Sequence, residues 1–235
     1  MIAPDVNGSD TGLKSAAAGG TLPAETIAPA GGGSPAAAAV PGAATAPARS
    51  WLSRVQRALV EEVENLNFRL LLAQLMVSVL PRLSFSRLRT AIYRLAGFEI
   101  GAHSLVLGRM GFTGEGAVQK RLHIGAHTII NSDFFVDLNT DISIGDWVSV
   151  GHHVTIITAN HDVGPALCRA GAKKPAAVAI GSGSWIGARS TLLPGVHIGR
   201  SSVVAAGSLV SGDVPAHRMV GGVPARSLKT LPSEP

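Results

Sequence analysis

Proton transfer near neutral pH is mostly histidine chemistry, because an unperturbed imidazole titrates at about 6.5. The chain of 235 residues has eight histidines, and one of them stands apart by its surroundings. His161 lies in Thr158-Ala159-Asn160-His161-Asp162, at the point where a six-residue register breaks off. Residues 161–177 lack that register and carry Gly164, Pro165, Arg169, Lys173, Lys174 and Pro175. A long insertion in a strict scaffold is where function tends to reside, since the scaffold does not need it. His161 is therefore the candidate general base, a role worth roughly 10²–10⁴ in rate. By position alone it would read as a loop histidine bonded to water, so the neighbouring motifs have to decide. His152 and His153, one coil earlier, read as structural or surface residues. Cys168, the single cysteine, lies in the same insertion without a recognisable triad, so a covalent cysteine route is weak.

The elements that must position these groups are legible in residues 178–226. Ile180, Ile186, Leu192, Ile198, Val204 and Val210 put a branched aliphatic at every sixth position, with Gly181, Gly187, Gly199 and Ala205 directly after four of them. Helices repeat at 3.6 and strands at 2, so neither simple period explains a run of sixes. A hexapeptide repeat predicts a parallel β-helix, in which each short strand sends one aliphatic to a common axis. The register starts at Ile100-Gly101, resumes at Ile124-Gly125, Ile130 and Val136, and continues after a two-residue shift at Ile144, Val150 and Ile156. Residues 110–120 are glycine-rich, fit it poorly and read as a loop. It ends at Asp213-Val214-Pro215, where proline cannot donate to a ladder, and Gly221 to Arg226 reads as a turn-rich closing segment.

The N-terminal part has another character. Residues 1–49 are dominated by Ala, Gly, Pro and Ser, with Glu25 the only charge between Ser15 and Ala48, and read as a disordered leader. Ser50 can cap a helix starting at Trp51, with Leu52, Val55, Leu59, Val63, Leu66 and Leu70 on one stripe and Pro81 as its stop. A second short helix spans residues 86–95 and is stopped by Gly97. The apolar stretch from Leu70 to Leu80 is too short to span a bilayer, which takes about 20 residues. Residues 51–95 are expected to pack on the solenoid or on another subunit. The competing expectation is peripheral membrane contact, with Arg82, Arg87, Arg89 and Arg94 facing lipid phosphates.

Composition narrows the classes. With 46% hydrophobic but only 4% aromatic residues, the core must be aliphatic, which suits a narrow prism of thin strands. The net charge of +5 suits phosphate-bearing ligands, but scattered basic residues without interleaved aromatics argue against nucleic acid. One cysteine excludes an internal disulfide framework and fits a reducing, cytoplasmic compartment, and no signal peptide is evident.

Several motifs in order carry a family resemblance. They are Ile180-Gly181-Ser182-Gly183-Ser184-Trp185-Ile186-Gly187-Ala188, Leu193-Pro194-Gly195-Val196-His197-Ile198-Gly199, Ala206-Gly207-Ser208-Leu209-Val210, Asp213-Val214-Pro215 and Gly222-Val223-Pro224-Ala225-Arg226. Together with the segment Phe134 to Asn139 and the Thr158 to Asp162 motif, they resemble the hexapeptide-repeat O-acetyltransferases over residues 98–230. The nearest groups are the maltose and galactoside acetyltransferases and those of colanic-acid and capsular polysaccharide biosynthesis. Asp162, where the maltose branch has proline, favours the polysaccharide branch.

The resemblance implies a mainly β fold, a left-handed parallel β-helix, assembled as a homotrimer with acetyl-CoA in clefts between subunits. It also implies direct acetyl transfer to the hydroxyl of a small or lipid-linked sugar, with no metal. His161 matches the family's catalytic histidine, and Ala188 stands where a backbone N–H serves the oxyanion. Trp185 would line the pantetheine channel, Ala206 would lie near the adenine end, and Ser211 with Arg226 would face the cofactor phosphates. Asp137 stands where the maltose and galactoside branch has asparagine, and with Asn139 it is expected to hold the acceptor or to raise the histidine's pKa. Gly212 replaces a lysine beside the phosphates, so Lys173, Lys174 or Arg218 is expected to compensate. Two other functions use the same solenoid. A non-catalytic trimeric scaffold is one. A γ-class carbonic anhydrase is the other, but it needs three histidines around zinc, and no His-x4-His pair follows His161.

Overall fold

A computed structural model describes residues 67–81 and 84–233. The expected leader, the Ser50-capped start of the first helix and Arg82 lie outside these residues.

The six-residue register becomes a three-faced prism of parallel strands. On the first face Ile100, Ile124, Ile144, Ile180 and Ile198 stack in pairing register. On the second face Val106, Ile130, Val150, Ile186, Val204 and Val220 do the same. The third face aligns Phe112, Val136, Ile156, Leu192 and Val210. All of these except Phe112 are buried, so each strand contributes one side chain to a continuous aliphatic column. The corners are closed by buried hydroxyls. Ser104 donates to Gly125 O, Thr128 to Gly145 O, Ser184 to Gly199 O and Ser202 to Pro215 O, at 2.6–3.0 Å. Each satisfies a carbonyl of the next coil, which a buried main chain requires.

Successive coils advance by 24, 20, 36 and 18 residues along the first-face column. The third face gives the same steps for its first four members: Phe112 to Val136, Val136 to Ile156, and Ile156 to Leu192. Every surplus over 18 therefore falls at one corner, between a third-face strand and the next first-face strand. The first surplus contains a short 3-10 turn, Val118–Arg121, and the last is a two-stranded antiparallel arm, Ala159–Val163 with Ala170–Pro175. The structure thus makes the irregular 161–177 segment a hairpin that starts at Ala159. It also corrects the reading of residues 110–120. Gly111–Thr113 is a third-face strand, hidden because its aligned residue is the aromatic Phe112.

Closure differs from expectation too. Val214 still bridges to Ile198, and Arg218–Gly222 adds a further second-face strand, which then folds back antiparallel onto Ala225–Thr230. The supposed closing turn is the bend of a hairpin.

Helix α1, Phe68–Val79, is capped by Asn67, whose Oδ1 accepts from Leu70 N at 3.3 Å. It ends before Leu80, which is extended because Pro81 follows. It buries Leu70, Ala73 and Val77 and leaves Leu71, Leu72 and Leu75 exposed. Helix α2, Ser86–Leu95, has the expected bounds and docks on the first coil. Thr90 Oγ1 accepts from Val106 N and Tyr93 OH from Met110 N, both at 2.9 Å. Arg89 is only 1% exposed and donates to Leu107 O, Pro81 O and Ser84 O, while Arg94 donates to Ile100 O and Gly101 O. Both arginines tie the helix to the solenoid; Arg89 is buried there and Arg94 stays exposed. Among the described residues no helix is long and apolar enough to cross a membrane.

Candidate active site

The site is assembled at the corner where the surplus chain collects. In the arm, His161 pairs across the hairpin with Lys173. Its Nδ1 lies 2.8 Å from Gly171 O. A carbonyl can only accept, so Nδ1 carries a proton, and the neutral form of the ring has its lone pair on Nε2, as a base requires. Gly171 is needed for this geometry: a Cβ there would sit 2.9 Å from Asp162 O and 3.4 Å from Gly164 Cα. The imidazole itself is exposed on the single chain.

Lys173 ties the arm to the earlier coils. Its Nζ donates to Asn139 Oδ1 at 2.9 Å and stands 3.6 Å from Glu115 Oε1. Asn139 Nδ2 in turn donates to Asp137 Oδ1, which also accepts from Thr113 Oγ1 at 3.3 Å. Asp137 Oδ2 accepts from Thr158 N at 3.3 Å, and Thr158 Oγ1 accepts from Asn139 N at 3.1 Å. Three donors fix the half-buried carboxylate, with its neighbours drawn from three successive coils. Asp137 and Asn139 are thus brought together as expected, whereas within one chain the His161 ring bonds to Gly171 and not to Asp137. Thr113, Glu115, Thr158, Gly171 and the anchoring role of Lys173 are additions of the structure. Only Thr158 had a signal, through its place in the Thr158 to Asp162 motif.

Of the remaining expected residues, Trp185, Ala188, Ala206 and Arg226 lie along the second face, its trailing corner and its terminal hairpin, and Ser211 follows the third-face strand Leu209–Val210. Trp185 projects outward, 57% exposed, between Ser149 and Val203. Ala188 and Ala206 occupy the same corner position one coil apart, and Gly207 N donates to Ala188 O at 2.8 Å. Among the described residues nothing accepts from the Ala188 N–H. The coil below must be glycine at this point, because a Cβ on Gly151 would lie 2.6 Å from Ala188 N. Ser211 and Arg226 meet in a cleft of about 460 Å³ at the end of the prism, together with Gly212 and Arg218. Of the three cations expected to compensate for Gly212, Arg218 alone lines that cleft. Lys173 is held at Asn139, and Lys174 pairs with Asp162 at 2.6 Å.

Two half-sites thus flank the third face. Ala188 precedes its strand Thr191–Leu192, and His161 lies in the arm that follows its strand Thr155–Ile156. Among the described residues no three His, Cys, Asp or Glu side chains group as a metal site.

The sequence profile described as bacterial transferase hexapeptide, six repeats, matches residues 177–212. A galactoside O-acetyltransferase of Lactococcus lactis is 41% identical over 105 residues, 45% of this chain and 51% of that protein. The chain therefore spans about half the length of that relative. Nodulation protein L of Rhizobium meliloti is 37% identical over 133 residues, 53% of this chain and 73% of that protein. A hexapeptide-repeat acetyltransferase from Vibrio cholerae, solved with acetyl-coenzyme A, superposes with a TM-score of 0.62 at 32% identity, covering 73% of this chain and 90% of that one. With the prism, the arm and these likenesses together, the chain belongs to the hexapeptide-repeat acetyltransferase family.

Proposed function

We propose that the protein transfers the acetyl group of acetyl-CoA to a hydroxyl of a sugar or polysaccharide precursor, with His161 as general base. The observation that carries this reading is the Nδ1–H to Gly171 O bond, which leaves Nε2 free to accept a proton. The acceptor O–H gives its proton to Nε2 while its oxygen attacks the thioester carbonyl carbon. The oxyanion so formed takes the Ala188 N–H, a donor with no acceptor among the described residues. Collapse expels the CoA thiolate, which recovers the proton from Nε2. Asp137 and Asn139 orient the acceptor, held by Thr113, Thr158 and Lys173. Trp185 and Ala206 flank the cofactor, and Ser211, Arg218 and Arg226 meet its phosphates.

A base must come within about 2.6–3.2 Å of the proton it takes, and on one chain His161 and Ala188 lie at opposite edges of the third face. A second copy supplying the missing edge resolves this, and a closed ring of three is the assembly that the resemblance implies. Single, exposed Cys168 suits a reducing, cytoplasmic compartment. CoA release measured over a panel of sugars, nucleotide sugars and lipid-linked glycans tests the reading, with His161→Ala as control. A panel with no turnover would overturn the transfer reaction, and full activity in the variant would remove His161 from the role of base.

A further inference from the structure

A cleft of about 680 Å³ opens between α1 and the first coil, with Thr113, the partner of Asp137, on its wall. It is within the roughly 300–1,000 Å³ typical of pockets that bury a drug-sized ligand. Two of its lining residues are the anchors of the candidate site. Thr113 donates to Asp137, and Glu115 faces Lys173, the residue opposite His161 on the arm. A ligand whose reacting hydroxyl stands at Asp137 therefore has this cleft within reach of the rest of its body.

The walls do not suit a second sugar. Leu70, Leu71, Phe112 and Val118 form the apolar surface, and Gly114 and Gly116 add no side chain. Two amide side chains on the wall already have partners. Asn67 Nδ2 donates to Gln119 Oε1 at 3.2 Å, and Gln74 Nε2 donates to Met110 O at 2.9 Å. A polyhydroxylated group entering here would lose its bonds to water and find few in return, which is costly. Leu71 on the cleft wall is followed one turn later on α1 by Leu75, the two being 56% and 62% exposed.

We propose that this cleft binds an alkyl tail carried by the acceptor, so that the substrate is a sugar joined to an alkyl chain. The inference rests on Asp137 facing the acceptor, and it narrows the acceptor from any sugar to an amphipathic one.

The test is calorimetric binding of methyl, butyl, hexyl and octyl β-glucosides to the full chain, with octyl glucoside kept below its micelle concentration. Affinity is expected to rise roughly three- to fourfold per added CH₂ until the cleft is filled, the slope of full apolar burial. Leu71→Glu, an exposed position that tolerates charge in the fold, is expected to flatten that slope, with a thermal melt showing the fold retained. Equal affinity from methyl to octyl would overturn the inference, and so would a slope unchanged in Leu71→Glu. The outcome separates from the transfer reaction. Chain-length-dependent binding without CoA release on any acceptor would sink acetyl transfer and leave the cleft standing. Equal acetylation of short and long glycosides would do the reverse.

Discussion

The two edges of the third face are built on opposite principles. At the leading edge Ala188 and Ala206 recur at the 18-residue step without a single extra residue. What that edge offers is main chain, chiefly an N–H that any residue except proline can present. At the trailing edge the coils carry all of the surplus chain, and what it offers is side chains: Asp137, Asn139, His161 and Lys173. A strict solenoid can repeat a backbone donor for nothing, but it cannot place a mobile acid–base group. That takes chain outside the repeat, here a hairpin whose own pairing fixes the imidazole. The difference separates residues whose loss costs stability from those whose loss costs rate.

His161→Ala is expected to show the largest effect, a fall in kcat of about 10²–10⁴ with the thermal midpoint unmoved. A matching fall in the midpoint would mean that the arm also holds the fold. Ile186→Ala inverts the pattern. Its side chain is fully buried in the second-face column, so unfolding in urea is expected to be easier by about 2–5 kcal/mol. Rate per folded molecule should hardly change, and a selective loss of kcat would blur the distinction between edges. Lys173→Ala removes the tie between arm and Asn139. We expect kcat to drop about ten- to a hundredfold, the scale of one charged hydrogen bond of roughly 1.5–3 kcal/mol, with partial recovery in Lys173→Arg. If only the KM for acetyl-CoA rose, Lys173 would be a cofactor contact instead.

The smallest effect concerns neither edge. Burial pushes the Tyr93 phenol above its ordinary value of 10.0. A raised folded pKa contributes stability that is complete below the unfolded value and fades as pH climbs toward the folded one. The protein is thus expected to lose stability as pH rises past about 10, and Tyr93→Phe to cost about 1–3 kcal/mol by leaving Met110 N unpaired. Denaturant melts at pH 8 and 10.5 would show a drop for the parent and a smaller one for the variant. Equal drops would assign the loss to other groups.

How much of this was legible beforehand follows the same division. Aliphatics at every sixth position disclose the columns, because each hexapeptide sends one side chain to the axis. Phe112 escaped notice by being aromatic. The strand Arg218–Gly222 escaped because the last coil shortens, so that Val204 pairs with Val220 after 16 residues. Second-helix bounds were readable from Ser86 and Gly97. His161 stood out through its motif, but its tautomer did not, since that depends on a carbonyl ten residues away across a hairpin. Lys173 was expected at the phosphates for its charge. Its place is set by the arm's register, His161 opposite Lys173, and no local pattern encodes that.

The central claim is that one chain supplies the base and its neighbour the cofactor wall. Co-expression of His161→Ala with the double variant Arg218→Glu, Arg226→Glu under two affinity tags, followed by isolation of the mixed oligomer, tests it most directly. Each variant alone is expected to be nearly inactive. The mixed oligomer is expected to regain roughly a third of the parent's activity, because in a ring of three that contains both variants one head-to-tail interface pairs an intact base with an intact wall. A mixed oligomer no more active than its two parents would contradict the account and place the whole site on one chain.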